Sequence, residues 1–285
     1  MGEEIYLMGG LMHHPLRAPR MVLAIVLLIL TGLGLQARPE LGLQSWTLRE
    51  MNFEEAVKFA ADHGIKQVQF FRKHIDPNAP IAENLAKKAF LKQHGVKAYA
   101  IGVSSTTMDP DENRKLFEVA KLFGMEVIVV EPRDLAQWDV LEPLVQEYDI
   151  KLAVHNHGTG STYGNPATVK QVLAERDERI GVCLDIGWVT AAGFDAAEIY
   201  RNYGGRVFDM HLKDKVLDPR DPDVQPTDTH IGLGNANYDE LFGLLKRDAW
   251  MGVMAIETDS NEFAADPAEF VARAKVFFES YFPPE

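Results

Sequence analysis

Val207-Phe-Asp-Met-His-Leu-Lys-Asp214 is a short run with apolar alternation that ends in His211, Lys213 and Asp214. Cys183-Leu-Asp-Ile-Gly-Trp188 precedes it and Ala255-Ile-Glu-Thr-Asp259 follows it, each another apolar strand with metal-ligand chemistry at its end. A parallel sheet sets equivalent strand ends side by side. Asp185, His211 and Glu257 are therefore expected on one edge, delivered by three consecutive strands.

Outward from that stretch, short apolar runs alternate with amphipathic segments, the mark of repeated βα units. Strands are expected at 41–48, 66–71, 96–103, 125–132, 151–157, 180–188, 206–214 and 252–259. Helices are expected at 53–63, 81–94, 111–123, 138–148, 166–176, 194–203, 238–247 and 267–281. Gly64, Gly95, Gly124 and Gly204 close helices as left-handed caps, while Asp109-Pro110, Asn165-Pro166 and Asp266-Pro267 open them. Eight such units in about 245 residues predict an α/β protein with a single (β/α)8 TIM barrel over 38–285. An open doubly wound sheet is the alternative, but no Gly-x-Gly-x-x-Gly follows the first strand.

The amino terminus has a different composition. Met21-Val-Leu-Ala-Ile-Val-Leu-Leu-Ile-Leu30 follows Arg17 and Arg20 and precedes Ala37-Arg38-Pro39, so residues 1–37 are expected to be a signal peptide or an amino-terminal anchor. The protein is accordingly expected to be exported, periplasmic or secreted, with membrane association only if that segment is retained. The net charge of −13 argues against a nucleic-acid partner, which needs Lys and Arg to neutralise phosphates. Cys183 is the only cysteine, which excludes an internal disulfide and suits a small buried side chain. A homo-oligomer is compatible with the chain, and a small carbohydrate is the expected partner.

In a (β/α)8 barrel the carboxyl ends of the strands carry the active site. The polar and aromatic residues there are Gln44, Trp46, Phe70, Arg72, Ser104, Ser105, Glu131, His155, His157, Asp185, Trp188, His211, Lys213 and Glu257. Asp185, His211 and Glu257 form an oxygen and nitrogen donor set suited to Mn²⁺, Co²⁺, Mg²⁺ or Zn²⁺. The fourth ligand is expected to be Glu131, with His155 competing. In His155-Asn-His157-Gly158, alternation turns both imidazoles to the barrel mouth, for proton transfer or for holding a sugar hydroxyl. Lys213 is placed to polarise a carbonyl or to stabilise an oxyanion, or else to pair with Asp214 or Asp185. Trp46, Phe71 and Trp188 could wall a sugar pocket. The longest connection, 216–236, holds Asp228-Thr-His230 and Gly232-Leu-Gly234, and His230 is a candidate substrate contact.

Leu41-Gly-Leu-Gln-Ser-Trp-Thr47, Lys151-Leu-Ala-Val-His-Asn-His-Gly158, Cys183-Leu-Asp-Ile-Gly187, His211-Leu-Lys-Asp214, Gly232-Leu-Gly234 and Ile256-Glu257 together resemble the xylose-isomerase-like barrels. The resemblance runs from Leu41 to about Tyr281. It implies a metal-dependent sugar or sugar-phosphate isomerase or epimerase, working by proton abstraction next to a carbonyl through an enediolate. In the family's epimerases a Glu, Asp, His and Glu hold the metal and the two glutamates also move protons. Asp185, His211 and Glu257 match that pattern. The first glutamate has no counterpart on strand five, where Ala153 and His155 stand, and Trp188 occupies a position often His in relatives. Glu257 is thus the expected base, with Lys213, His155 and Glu131 as further catalytic candidates and His157, Trp46, Trp188 and His230 as substrate contacts. A lyase or hydrolase of keto-sugar glycosides would use the same parts, because proton abstraction beside a carbonyl is shared. A non-catalytic sugar-binding barrel is the reading from another class. Apurinic endonucleases share the barrel, and Asp228-Thr-His230 resembles their ligand pair, but the acidic charge disfavours that activity.

Overall fold

A computed structural model describes residues 38–218, 220 and 224–284; the segment expected as signal or anchor lies outside them. Eight strands run in parallel around a closed barrel. They are β1 (Glu40–Gln44), β2 (Gln67–Phe70), β3 (Lys97–Ser104), β4 (Val127–Val130), β5 (Lys151–His155), β6 (Ile180–Asp185), β7 (Val207–Leu212) and, closing against β1, β10 (Val253–Ile256). Between β7 and β10 the short strands β8 (Asp214–Val216) and β9 (Thr227–Thr229) pair antiparallel as a separate ribbon.

The helices are α1 (Phe53–Asp62), α2 (Ile81–His94), α3 (Pro110–Phe123), α4 (Gln137–Tyr148), α5 (Pro166–Leu173), α6 (Ile186–Ala191), α7 (Ala196–Tyr203), α8 (Tyr238–Arg247), α9 (Asn261–Ala265) and α10 (Pro267–Tyr281). Their stops follow local chemistry. Gly95 and Gly124 take left-handed conformations after α2 and α3, and Asp109 and Asn165 accept backbone N–H groups ahead of the prolines that open α3 and α5. The large apolar core lies between the strands and this helical layer, where Leu43, Phe70, Ile128, Val154, Leu184, Met210 and Ile256 are buried. Inside the barrel a smaller apolar set, including Ala100, Val127, Val129, Ala153 and Ala255, packs together.

Most of the expected strands end early, two of them at a side chain that bonds back to the chain. The 41–48 run stops at Gln44, whose Oε1 accepts from the Trp46 N–H and starts a one-turn 3-10 helix over Ser45–Leu48. The 180–188 run stops at Asp185, which caps α6 through the Trp188 N–H, so Trp188 belongs to a helix rather than a strand. The 206–214 run breaks after Leu212 and resumes as the ribbon strand β8. Apolar alternation registers none of these caps. Helix α9 also lies inside a segment expected to be irregular.

Candidate metal and proton-transfer site

Register brings the strand ends together. Asp185 pairs with His211 across β6 and β7, His155 with Cys183 across β5 and β6, and Ala255 with His211 across β10 and β7. Glu257 follows β10 directly, its N–H donating to the Leu212 carbonyl. Asn156 points away from the mouth and works on the backbone: it accepts from the Asp185 N–H at 3.0 Å and donates to the Asp185 carbonyl at 3.1 Å. The sheet is thereby extended past β5 by a side chain, which fixes Asp185 beside His155.

Four buried side chains converge. One donor atom each from His155, Asp185, His211 and Glu257 lies within 4.8 Å of every other. His155 Nε2 is 3.1 Å from His211 Nδ1 and 3.4 Å from Asp185 Oδ2. His211 Nδ1 is 3.4 Å from Asp185 Oδ2 and 3.1 Å from Glu257 Oε2. Four ligands about 2.0–2.1 Å from a tetrahedral ion stand about 3.3 Å from one another, so the spacing fits a divalent metal. Asp185 Oδ2 and Glu257 Oε2 are buried without a well-directed hydrogen bond among the described residues, which leaves lone pairs open to a metal ion.

The ammonium of Lys213 stands beside the same two oxygens, 2.7 Å from Glu257 Oε2 and 3.2 Å from Asp185 Oδ2, and 2.8 Å from Asp259 Oδ2. These contacts are ionic, made at angles poor for hydrogen bonding to Asp185 and Glu257. Burial works against each charge, yet attraction wins on both sides. Lys213 and the neighbouring imidazoles hold Asp185 well below the usual carboxylate range and lower Glu257 as well, while Asp185, Glu257 and Asp259 hold the Lys213 ammonium well above its ordinary value. Asp214, one of two partners expected for Lys213, is engaged elsewhere. Its carboxylate accepts the backbone N–H groups of Lys215, Gly232, Gly234 and Ala236. A Cβ on Gly234 would lie 2.2 Å from Asp214 Oδ1, which accounts for the last glycine of Gly232-Leu-Gly234.

Of the two candidates for fourth ligand, the geometry brings in His155. Glu131 stands apart from the four-atom cluster, in an adjoining trio with His155 and His157. Its Oε2 bonds His157 Nδ1 and lies 3.8 Å from His155 Nδ1, an atom buried without a hydrogen-bond partner among the described residues. The reason is register: β4 ends one strand away from the β5, β6, β7 and β10 ends that build the cluster. Burial pushes the Glu131 carboxyl up, but the nearby His155 imidazole and the hydrogen bond with His157 outweigh it and bring the group down to about 2. For His157 burial likewise opposes the charge and the contact with Glu131 prevails, raising the imidazole above its ordinary value.

The expected substrate contacts divide. Trp188 lies at the mouth, its ring 5.7 Å from that of His157 and 3.8 Å from the Lys215 ammonium. Trp46 is 38% exposed, edge-on to Phe71 and beneath the Arg49 guanidinium. His230 is brought to Phe263 and Phe270, with ring centroids 4.9 and 5.9 Å away. Asp228, which the endonuclease comparison paired with His230, binds Lys215 and accepts from Thr258 Oγ1 and the Asp259 N–H, tying the ribbon to the end of β10.

Sequence reasoning missed Gln69, Asp209, Asp259 and the buried Lys215. Gln69 and Asp209 carried a signal: each breaks an apolar strand with a polar residue on the same face as a mouth residue. His211 Nε2 lies 2.9 Å from Gln69 Oε1, and Gln69 Nε2 donates to Asp209 Oδ2 at 2.5 Å.

A family model described as a xylose isomerase-like TIM barrel matches residues 57–278. Among curated proteins, the inosose dehydratase of Clostridium perfringens is 23% identical over 201 residues, 66% of this chain and 66% of that protein. The aligned region is thus just under two thirds of that relative's length. Among solved structures, the probable 3-DHS dehydratase AsbF of Bacillus anthracis superposes with a TM-score of 0.67 at 13% identity, covering 84% of this chain and 98% of that one. The IOLI protein with a bound zinc atom superposes with a TM-score of 0.68 at 17% identity, covering 85% and 97%.

Proposed function

Because this chain belongs to the xylose isomerase-like TIM-barrel family, we propose that it is a divalent-metal-dependent lyase. It would remove water or an alcohol from the carbon β to the carbonyl of a polyhydroxylated ketone, a keto sugar or cyclic keto polyol. The observation that carries this is the asymmetry of proton-handling groups. The end of β10 offers the carboxylate Glu257; the end of β5, with β7 and β6 between, offers His157, an imidazole bonded to Glu131. Epimerisation by two carboxylate bases needs a free glutamate on each face, whereas elimination needs a base for one proton and a donor for the departing oxygen. The dehydratase names of relatives agree with elimination better than with the isomerase or epimerase expected from the sequence.

A divalent ion held by His155, Asp185, His211 and Glu257 would supply Lewis-acid polarisation of the carbonyl. Glu257, kept ionised by Lys213, takes the proton from the carbon next to the carbonyl, and the electron pair moves onto the carbonyl oxygen as an enolate. The carbonyl re-forms, a carbon–carbon double bond develops towards the β carbon, and the bond from that carbon to oxygen breaks. His157 passes its proton to the leaving oxygen, giving water or an alcohol and an enone. Proton exchange with solvent restores Glu257 and His157. Trp188 gives the sugar an apolar face beside His157.

The test is incubation of the metal-supplemented protein with inososes and keto-glycosides in deuterated water, followed by NMR. An enone with loss of one oxygen substituent is expected. Deuterium next to the carbonyl with every oxygen retained would establish an isomerase or epimerase instead. Export stays part of the proposal on sequence grounds alone, and amino-terminal sequencing of the mature protein reads it.

A further inference from the structure

Below the four-atom cluster the barrel interior is polar on one side. Gln44, Gln69, Asp209 and His211 are at most 1% exposed, and Tyr99 is 3% exposed. Their hydrogen bonds form one chain with a definite direction. Gln44 Oε1 accepts from the Trp46 N–H at 2.8 Å, and Gln44 Nε2 donates to the Gly102 carbonyl at 2.8 Å. A backbone N–H only donates and a backbone carbonyl only accepts, so these two contacts fix which end of the Gln44 amide is oxygen. Gln44 Nε2 also donates to Gln69 Oε1 at 2.7 Å. That fixes Gln69 in turn, and its Nε2 meets the carboxylate of Asp209, which also accepts from the Tyr99 hydroxyl at 2.9 Å.

Gln69 thus has only an acceptor to show His211, whose Nε2 lies 2.9 Å from Gln69 Oε1. Nε2 must carry a proton. In the neutral ring this leaves the lone pair on Nδ1, the atom that faces His155, Asp185 and Glu257. We infer that Gln69, oriented by Gln44 and Asp209, is the positioning residue that sets the tautomer of His211 and so prepares it as a metal ligand. The backbone of the 3-10 turn after β1 and of β3 thereby dictates, two amides away, which imidazole nitrogen is available. Groups of this kind around a metal ligand fix ring orientation and raise its basicity.

The zinc arm of the test rests on the metal reading; a second arm does not. Zinc affinity of the full chain is measured by chelator competition. Gln69→Leu is expected to weaken binding about 10- to 100-fold, and Gln44→Met, which frees the Gln69 amide to flip, by less than about 10-fold. Gln69→Glu combined with Asp209→Asn keeps an acceptor on His211 and exchanges donor for acceptor at the next contact. That pair should return affinity to within about threefold of the parent, a rescue that a space-filling role would not give. Affinity of Gln69→Leu within twofold of the parent, or a double variant no tighter than Gln69→Leu, would overturn the inference. Should Gln69→Leu not fold, the double variant decides: affinity within about threefold of the parent supports the inference, and a larger loss overturns it.

In metal-free protein the ring nitrogen shifts of His211 are read by NMR at a pH where the ring is neutral. The proton is expected on Nε2; a proton on Nδ1 overturns the inference whether or not zinc binds. Absence of zinc uptake by the parent with the proton on Nε2 would sink the metal site and leave the orienting chain standing.

Discussion

The two halves of the barrel interior are built on opposite principles. On the β3, β4 and β5 side, Ala100, Val127, Val129 and Ala153 close the interior with small apolar groups. On the β1, β2 and β7 side, with the apolar Ala255 of β10 between β1 and β7, Gln44, Gln69, Asp209 and His211 are polar groups bonded end to end. The apolar half gains from area removed from water and tolerates any well-packed shape. The polar half is costly to leave incomplete, and its completeness directs one imidazole at the site. A barrel can thus keep its wall and aim its chemistry with different strands.

The largest effect should come from the mouth, where both halves converge. Glu257→Gln is expected to lower kcat by about 10²- to 10⁴-fold in the elimination assay. Equal thermal melting of parent and variant would confirm that the loss is chemical, and activity within tenfold of the parent would remove Glu257 as base. Next is an exchange of principles: Val129→Asp places a carboxylate on the apolar half with no donor prepared for it. A buried unpaired charge costs about 3–5 kcal/mol, read as lowered stability in urea unfolding. Little change would mean the apolar half is not closed to water.

His74 sharpens the comparison from the outer layer. It is fully buried, its Nε2–H donates to the Met51 carbonyl at 3.1 Å, and its Nδ1 has no partner among the described residues. Burial is the main cause that lowers its pKa to about 4, from about 6.5. The folded state binds the second proton less readily than the unfolded chain. Its contribution is therefore complete above pH 6.5 and is lost as the pH falls from there towards 4. The ceiling is about 3 kcal/mol. Unfolding at pH 7.5 and at 4.5 should show this loss in the parent and a smaller one in His74→Gln. The smallest effect is expected for Tyr99→Phe, which deletes one hydrogen bond to Asp209. About 1–3 kcal/mol of stability should go with it, and its zinc affinity should change less than that of Gln69→Leu.

Much of this was legible in the residues. Alternating apolar runs, glycine stops and proline starts mark the βα units, because helix caps and strand periodicity are local chemistry. Asp185, His211 and Glu257 were legible because consecutive parallel strands must end together. Glu131 and His155 were harder to separate: both end strands and both are metal-ligand types. Gln69 and Asp209 were passed over because they sit one layer below the mouth, where the rule of strand ends gives no signal.

Sequence alone determined the barrel, its unit count and three convergent donors, since each follows from spacing along one chain. Only the tertiary structure decided that His155 joins them, that Glu131 serves His157, and that Asp228 ties down the ribbon. Alternation says whether a side chain faces in or out. Which inward side chains meet depends on stagger and register between strands, as in Asp185 against His211, and these are properties of the closed barrel.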